Sequence, residues 1–352
     1  MSACVHRKCT IKEGLITLNV TRTECGSPIR DQTATSIWLP AVGIAVFVPM
    51  IVLRIYTHIA VVKSGLTWDD WATLLLGICV VPLNVGSILL GKAGLGKDIW
   101  TIEFQKINEI LLIFLIQEHL YIFCISLTKI AFLLFYVKIF PFSRMLWVIK
   151  AAGVVTLCYA ITFLFAFGFQ CRPVSYNWNG WDGEHKGGCT QRNDLVIAAG
   201  AINVVLDAWV IALPIPCLMG LQMSLPRKIE VISMFSLGFL ITGVSIYRVV
   251  MLKVFATSSN PTWDNAAGGF WSIVEVDVGV CCLCIPAMRS LLGHYLPTVF
   301  GTRKRDEGRT TTGAQSITQK SKQEGLDSHS SNSFIQLIDL DKGSRKDYED
   351  EH

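Results

Sequence analysis

From Trp71 to Gly91 the chain reads WATLLLGICVVPLNVGSILLG, a run without one charged side chain. An α-helix of about 20 apolar residues spans the roughly 30 Å of hydrocarbon in a bilayer, so this run reads as a membrane span. Asp69 and Asp70 stand just before it, and the glycine-rich Gly91-Lys92-Ala93-Gly94-Leu95-Gly96 follows as a loop.

The same reading carried outward gives six more spans. They are Ser36–Arg54, extending toward Val62; Ile110–Lys138; Ala151–Phe169; Leu195–Leu221; Val231–Met251; and Gly268–Met288. The third span is interrupted by Glu118, His119 and Lys129, the fifth holds Asp207, and the seventh holds Glu275 and Asp277. Leu213-Pro214-Ile215-Pro216 is expected to kink the fifth near its end. The expected fold is all-α: a seven-transmembrane-helix bundle over 35–295, preceded by an extracellular cysteine-containing segment over 1–34. After Pro297 the chain turns polar, and 296–352 reads as a disordered cytoplasmic tail.

Composition agrees. The chain is 51% hydrophobic and 16% charged, against about 25% charged in a soluble domain. A net charge of +4 is too small to argue for nucleic acid. No phosphate loop or HExxH occurs, so neither a metal nor an enzyme's catalytic constellation is indicated. Cys281, Cys282 and Cys284 sit in an apolar run and are expected to face helices or lipid. No cleavable signal peptide is visible, so either the first span does the targeting or the true start codon lies upstream.

Orientation rests on loop chemistry. Lys138, Arg144, Arg227, Lys228 and Arg303-Lys304-Arg305 give one side a small basic excess. Cys4, Cys9, Cys25, Cys171 and Cys189 all fall on the opposite side, as an oxidising exterior would favour. Asn19-Val20-Thr21 is a glycosylation sequon on that same side. These place the N-terminus outside and the tail in the cytosol. The basic triplet beside the seventh span fits a stop-transfer anchor or a contact with anionic lipid.

Two sets of residues could carry function. Cys171 and Cys189 could form a bridge closing a loop of about 18 residues. Free thiols, or pairing with the N-terminal cysteines, are the alternatives. The second set is the charges within spans, each costing about 2.5–3.5 kcal/mol at the membrane centre unless it faces the bundle interior and finds a partner. Helical rise puts Glu118, His119, Arg248 and Glu275 in the outer half, Asp207 near the middle, Lys129 in the inner half and Asp70 at the inner mouth. Arg248 with Glu118 or Glu275 would make an outer cluster, a ligand pocket. Lys129 with Asp207 or Asp70 would make an inner one, a conformational lock. Structural ion pairing that fixes helix order is the competing reading. Glu275 and Asp277 lie about 200° apart around their helix, so they cannot share a face. The seventh span has no lysine for a retinal Schiff base, so no retinal cofactor is expected.

The order of motifs resembles the fungal rhodopsin-domain family of seven-helix membrane proteins, which includes the Pth-type G-protein-coupled-receptor-like proteins. The matching residues are Trp68-Asp69-Asp70-Trp71, Gly94-Leu95-Gly96, Lys129 with Phe135-Tyr136 and Ile139-Phe140, and Cys171-Arg172-Pro173-Val174 with Trp178 and Cys189. Asp207 ahead of Leu213-Pro214-Ile215-Pro216, and Trp271, Glu275 and Pro286, complete the set. The segment from Cys4 to Cys9, with Cys25-Gly26 and Arg30-Asp31, resembles the closing stretch of a CFEM module, of whose eight cysteines only Cys4, Cys9 and Cys25 are here. The resemblance implies a receptor-like sensor of an extracellular ligand, embedded in membrane lipid, with a heterotrimeric G protein as inward partner. Neither an Asp-Arg-Tyr triplet after the third span nor an Asn-Pro-x-x-Tyr in the seventh is present to support that coupling. A transporter or channel using the same charges is the alternative.

Overall fold

The computed structural model describes residues 9–28, 30–63, 65–139, 145–216, 225–255 and 260–295. Cys4, Phe140, Arg144, the side chains of Arg227 and Lys228, and the tail from 296 onward lie outside the described residues.

The elements are α1 (Ile11–Glu24), α2 (Thr33–Tyr56), α3 (Trp68–Ala93), α4 (Phe104–Ile139) and α5 (Met145–Gly168), then the short α6 (Tyr176–Asn179). After these come α7 (Arg192–Ala212), α8 (Leu225–Phe255) and α9 (Pro261–Tyr295). A π-helical turn, Thr57–Val62, prolongs α2. Strands β1 (Cys171–Arg172) and β2 (Gly188–Cys189) pair antiparallel between α5 and α7. Among the described residues, six helices are long and apolar enough to cross a membrane: α2 with its turn, α3, α4, α5, α7 and α9. The charged third and seventh runs are both among them. Helix α8 is 31 residues long.

In the fifth span, α7 ends at Ala212, where the expected break falls because Pro214 has no N–H to continue the hydrogen-bond ladder; 217–221 lie outside the described residues. The polar N-terminal segment is folded. Its helix α1 opens on a Thr10/Glu13 capping box and buries Leu15 against Leu90, Leu95, Ile107 and Ile110.

The long helices close into a ring in which each packs on the next: α2 on α3, α3 on α4, α4 on α5, α5 on α7, α7 on α8, α8 on α9 and α9 back on α2. Helix α4 also touches α7 and α9, so it runs through the middle. The ring is inverted relative to a water-soluble protein. Trp71, Leu75, Ile78, Val85 and Leu89 of α3 point outward, as do Val154, Leu157, Ile161 and Phe165 of α5. Arg54, Asp69, Asp70, Asn84, Lys129, Asn203, Asp207, Arg248 and Glu275 are buried inside. Apolar side chains at helical spacing facing out and polar ones facing in is the arrangement a hydrocarbon solvent selects.

Local chemistry sets the element ends. Thr67 and Asp70 form the capping box that opens α3, so one of the paired aspartates has a backbone task as well as a charge. Gly94, at φ +117°, ends α3. Gly96, at φ +97°, brings its backbone against Gln32; a Cβ there would stand 3.1 Å from the Gln32 carbonyl carbon. Asp98 gathers this end, accepting from Arg30 Nη2 at 3.0 Å and Asn260 Nδ2 at 2.6 Å. This end, which also carries the β1–β2 pair, is called the disulfide end below.

Candidate functional site

Loop 169–191 roofs the disulfide end. Cys171 and Cys189 are joined in a disulfide with 18 residues of separation; Cys9 and Cys25 are exposed free thiols. The bridge presents Trp181, whose indole N–H donates to Asn108 Oδ1 and whose ring lies 5.9 Å from that of Phe104. Lys12 of α1 reaches Asp182 at 3.3 Å and Glu184 at 2.8 Å. Burial would push the Asp182 carboxyl up, but the Glu184 amide, His185 and Lys12 together outweigh it and hold the group at about 2. Closing a loop of this length stabilises by about 3 kcal/mol. Cys189→Ser is therefore expected to lower the unfolding midpoint and to red-shift the emission from Trp181. Cys171→Ser/Cys189→Ser should do no more than the single change, since both lose the same bond; thermal unfolding followed by tryptophan fluorescence measures both.

Beneath the roof lies a cavity of about 360 Å³. Its upper wall is apolar, with Leu90, Ile107, Ile110, Leu111 and Phe114. Its floor is polar, with Gln117, Glu118, Tyr121, Arg248 and Ser272, and Arg192 stands at the side. Ile107 and Tyr121 are fourteen positions apart on α4, so the cavity runs about 20 Å along that helix.

The floor opens onto a buried polar network. Arg248 Nη1 donates to the Tyr121 hydroxyl at 2.8 Å, its Nε donates to Ser272 Oγ at 2.7 Å, and its guanidinium lies 4.0 Å over the Tyr121 ring. The Tyr121 hydroxyl donates to Glu275 Oε2 at 2.7 Å. Glu275 Oε1 accepts from Asn203 Nδ2 at 2.8 Å and from Ser245 Oγ at 2.5 Å. The same two groups reach Asp207 Oδ2, at 3.3 and 3.0 Å. Asp207 Oδ1 pairs with Lys129 Nζ at 2.7 Å, and Lys129 also donates to Asn203 Oδ1 at 2.6 Å. The network thus joins α4, α7, α8 and α9.

The residues singled out from sequence fall as follows. Glu118 and Arg248 line the cavity, while His119 and Glu275 are not among its lining residues. Arg248 makes no ion pair with Glu118 or Glu275. Glu118 pairs with Arg192 at 3.2 Å, and Tyr121 stands between Arg248 and Glu275. His119 Nδ1 meets the Leu115 carbonyl of its own helix at 2.8 Å. Lys129 takes Asp207, not Asp70. The outer and inner clusters expected from sequence are therefore one, joined by Asn203 and Ser245.

Asp70 belongs to a second cluster at the opposite end. Arg54 Nη2 lies 2.6 Å from Asp69 and its Nε donates to Asp70 at 2.9 Å. Its Nη1 donates to the Leu283 carbonyl of α9. Lys138 adds 3.5 Å to Asp69, so α2, α3, α4 and α9 are tied at one point. As the helical wheel requires, Asp277 faces away from Glu275: it accepts from Asn84 Nδ2 at 3.0 Å. A Cβ at Gly43 would stand 2.0 Å from Asp277 Oδ2, so only a glycine leaves that carboxyl room.

Tyr121, Asn203, Ser245 and Ser272 were not singled out from sequence, being uncharged. Their spacing marks them: Asn203 and Asp207 are i,i+4, while Ser245 with Arg248 and Ser272 with Glu275 are i,i+3. Each therefore shares a helix face with a charge already identified.

The fungal rhodopsin domain matches residues 53–294, which takes in the network, the disulfide loop and all of the cavity lining except Ser36, Leu39 and Pro40. The chain is 23% identical to Receptor GIN3 of Arthrobotrys oligospora over 74% of this chain and 65% of that protein. It is 26% identical to a SAT4 family membrane protein of Emericella nidulans, over 66% and 59%. It is 28% identical to satratoxin biosynthesis SC1 cluster protein 4 of Stachybotrys chartarum, over 47% and 60%. The chain spans under two thirds of the length of these curated relatives. No solved structure matches it.

Proposed function

Because this chain belongs to the fungal rhodopsin domain family, we propose that it is a receptor-like sensor of a small extracellular molecule, seated in the plasma membrane. In this reading α8 joins the six apolar helices as a seventh crossing. The disulfide end, with Asn19 exposed on α1 as a glycosylation site, faces outside, and the Arg54 end and the tail face the cytosol. A relative named a receptor supports the assignment. The observation that carries it is the cavity floor. Tyr121 and Arg248 line the cavity and are also the first members of a network that ends at Lys129 and Asp207. A molecule that moved Arg248 would change the hydrogen bonds of four helices, as a bistable packed element requires. A heterotrimeric G protein is the inward partner proposed, and no retinal, metal or catalytic role is assigned.

The test uses the full chain in lipid nanodiscs and a library of apolar metabolites read by thermal unfolding. At least one compound should raise the midpoint of the wild type and leave Phe114→Trp, whose larger ring narrows the cavity at its apolar wall, unmoved. A library in which no compound separates the two proteins would sink the reading. Transport of that compound into vesicles, abolished by Asp207→Asn, would establish the transporter instead.

A further inference from the structure

The cavity's charges are unbalanced. Its described lining holds two guanidiniums, Arg192 and Arg248, and one carboxylate, Glu118. Glu118 is occupied by Arg192 at 3.2 Å. Arg248 has no carboxylate within salt-bridge distance among the described residues; its contacts are the Ser272 and Tyr121 hydroxyls and the Tyr121 ring. It is nonetheless only 9% exposed. Glu275, the carboxylate of its network, is reached only through the Tyr121 hydroxyl, so Arg248 makes no direct bond to an anion among the described residues, and an anion in the cavity would supply one.

Gln117 sets a separate condition. Its Nε2 donates to the Leu83 carbonyl at 2.8 Å, which leaves the amide oxygen as the free acceptor. That Oε1 is buried and unpartnered. A buried acceptor is costly until a donor fills it, and a carboxylate has no proton to give, so a hydroxyl elsewhere on the ligand is what this oxygen would take. Above both groups the wall is aliphatic and aromatic for most of the cavity's depth.

We infer that the ligand is an apolar organic acid, bound with its carboxylate on Arg248 and its hydrocarbon part directed up along Ile107–Phe114 toward Trp181. The inference rests on reading the cavity as the ligand site. It adds the ligand's chemical class and its orientation.

Decanoate, decanol and decylamine share one chain and differ in the head group. Binding of each to the full chain in nanodiscs is followed by the change in tryptophan emission, with empty nanodiscs subtracted. Decanoate should bind at least about tenfold tighter than decanol, and decylamine weakest, since one charge-assisted bond is worth about that factor. Arg248→Gln should bring decanoate down to the level of decanol, whose own binding stays within about twofold and so reports that the variant is folded. Arg248→Lys should restore part of the preference. Should Arg248→Gln fail to fold, Arg248→Lys decides in its place: it is expected to bind decanoate more weakly than the wild type while leaving decanol within about twofold. If decanoate and decanol bind equally to the wild type, and both are lost in Phe114→Trp, the acid class is overturned while the cavity stands. If no probe binds, or Phe114→Trp changes nothing, the cavity reading falls and this inference with it.

Discussion

Arg54→Ala is expected to destabilise the bundle by about 3–5 kcal/mol, because it leaves two carboxylates buried with their main partner gone. Asp69 and Asp70 side chains are 3% and 1% exposed, so neither reaches water to recover its solvation. Lys138 remains, but its ammonium is 3.5 Å from Asp69 and over a third exposed, which screens it. The Leu283 carbonyl also loses its donor, loosening α9 from α2. Unfolding by denaturing-detergent titration in bicelles measures the loss. Arg54→Leu with Asp69→Asn and Asp70→Asn removes the charges together and should regain a large part of it. A single variant as stable as the wild type would mean that the cluster is solvated.

Lys129→Met is the second large effect, again about 3–5 kcal/mol. Asp207 and Glu275 both draw on the Ser245 hydroxyl and the Asn203 amide. One hydroxyl proton cannot serve two acceptors fully. Lys129, 2.7 Å from Asp207, is the cation that keeps the two acids together. Without it they repel in a region of low dielectric. Adding Asp207→Asn should recover most of the loss, because a neutral amide needs no counter-charge. Equal instability of single and double variants would show that Lys129 acts by packing alone.

Much of this was legible in the sequence, since uncharged runs near the thickness of a bilayer admit few other structures. Placing Glu118, Lys129 and Asp207 inside spans was enough to require partners for them. The partners themselves were less legible. The first span read as Ser36–Arg54 with an extension toward Val62, and the helix does run past Arg54; that its guanidinium folds inward was not legible. Tyr121 and Asn203 carry no charge, so hydropathy passes over them, although they decide which charge meets which. Asp207 and Asp70 both stood as partners for Lys129 because depth along a helix can be counted from sequence, whereas the neighbour around the ring cannot. The disulfide was one of several pairings that spacing allowed, and only the folded loop brings Cys171 opposite Cys189.

The cavity floor and the Lys129–Asp207 pair form one unit, joined by Tyr121, Glu275, Asn203 and Ser245. Lys129 lies eight positions beyond Tyr121 on α4, about 12 Å along the helix, a distance at which unconnected sites add within about 0.5 kcal/mol. A double-mutant cycle of Arg248→Gln and Lys129→Met, read by reversible unfolding in bicelles, measures this directly. A coupling of about 1–3 kcal/mol is the predicted result. Additivity within about 0.5 kcal/mol would show instead two independent clusters.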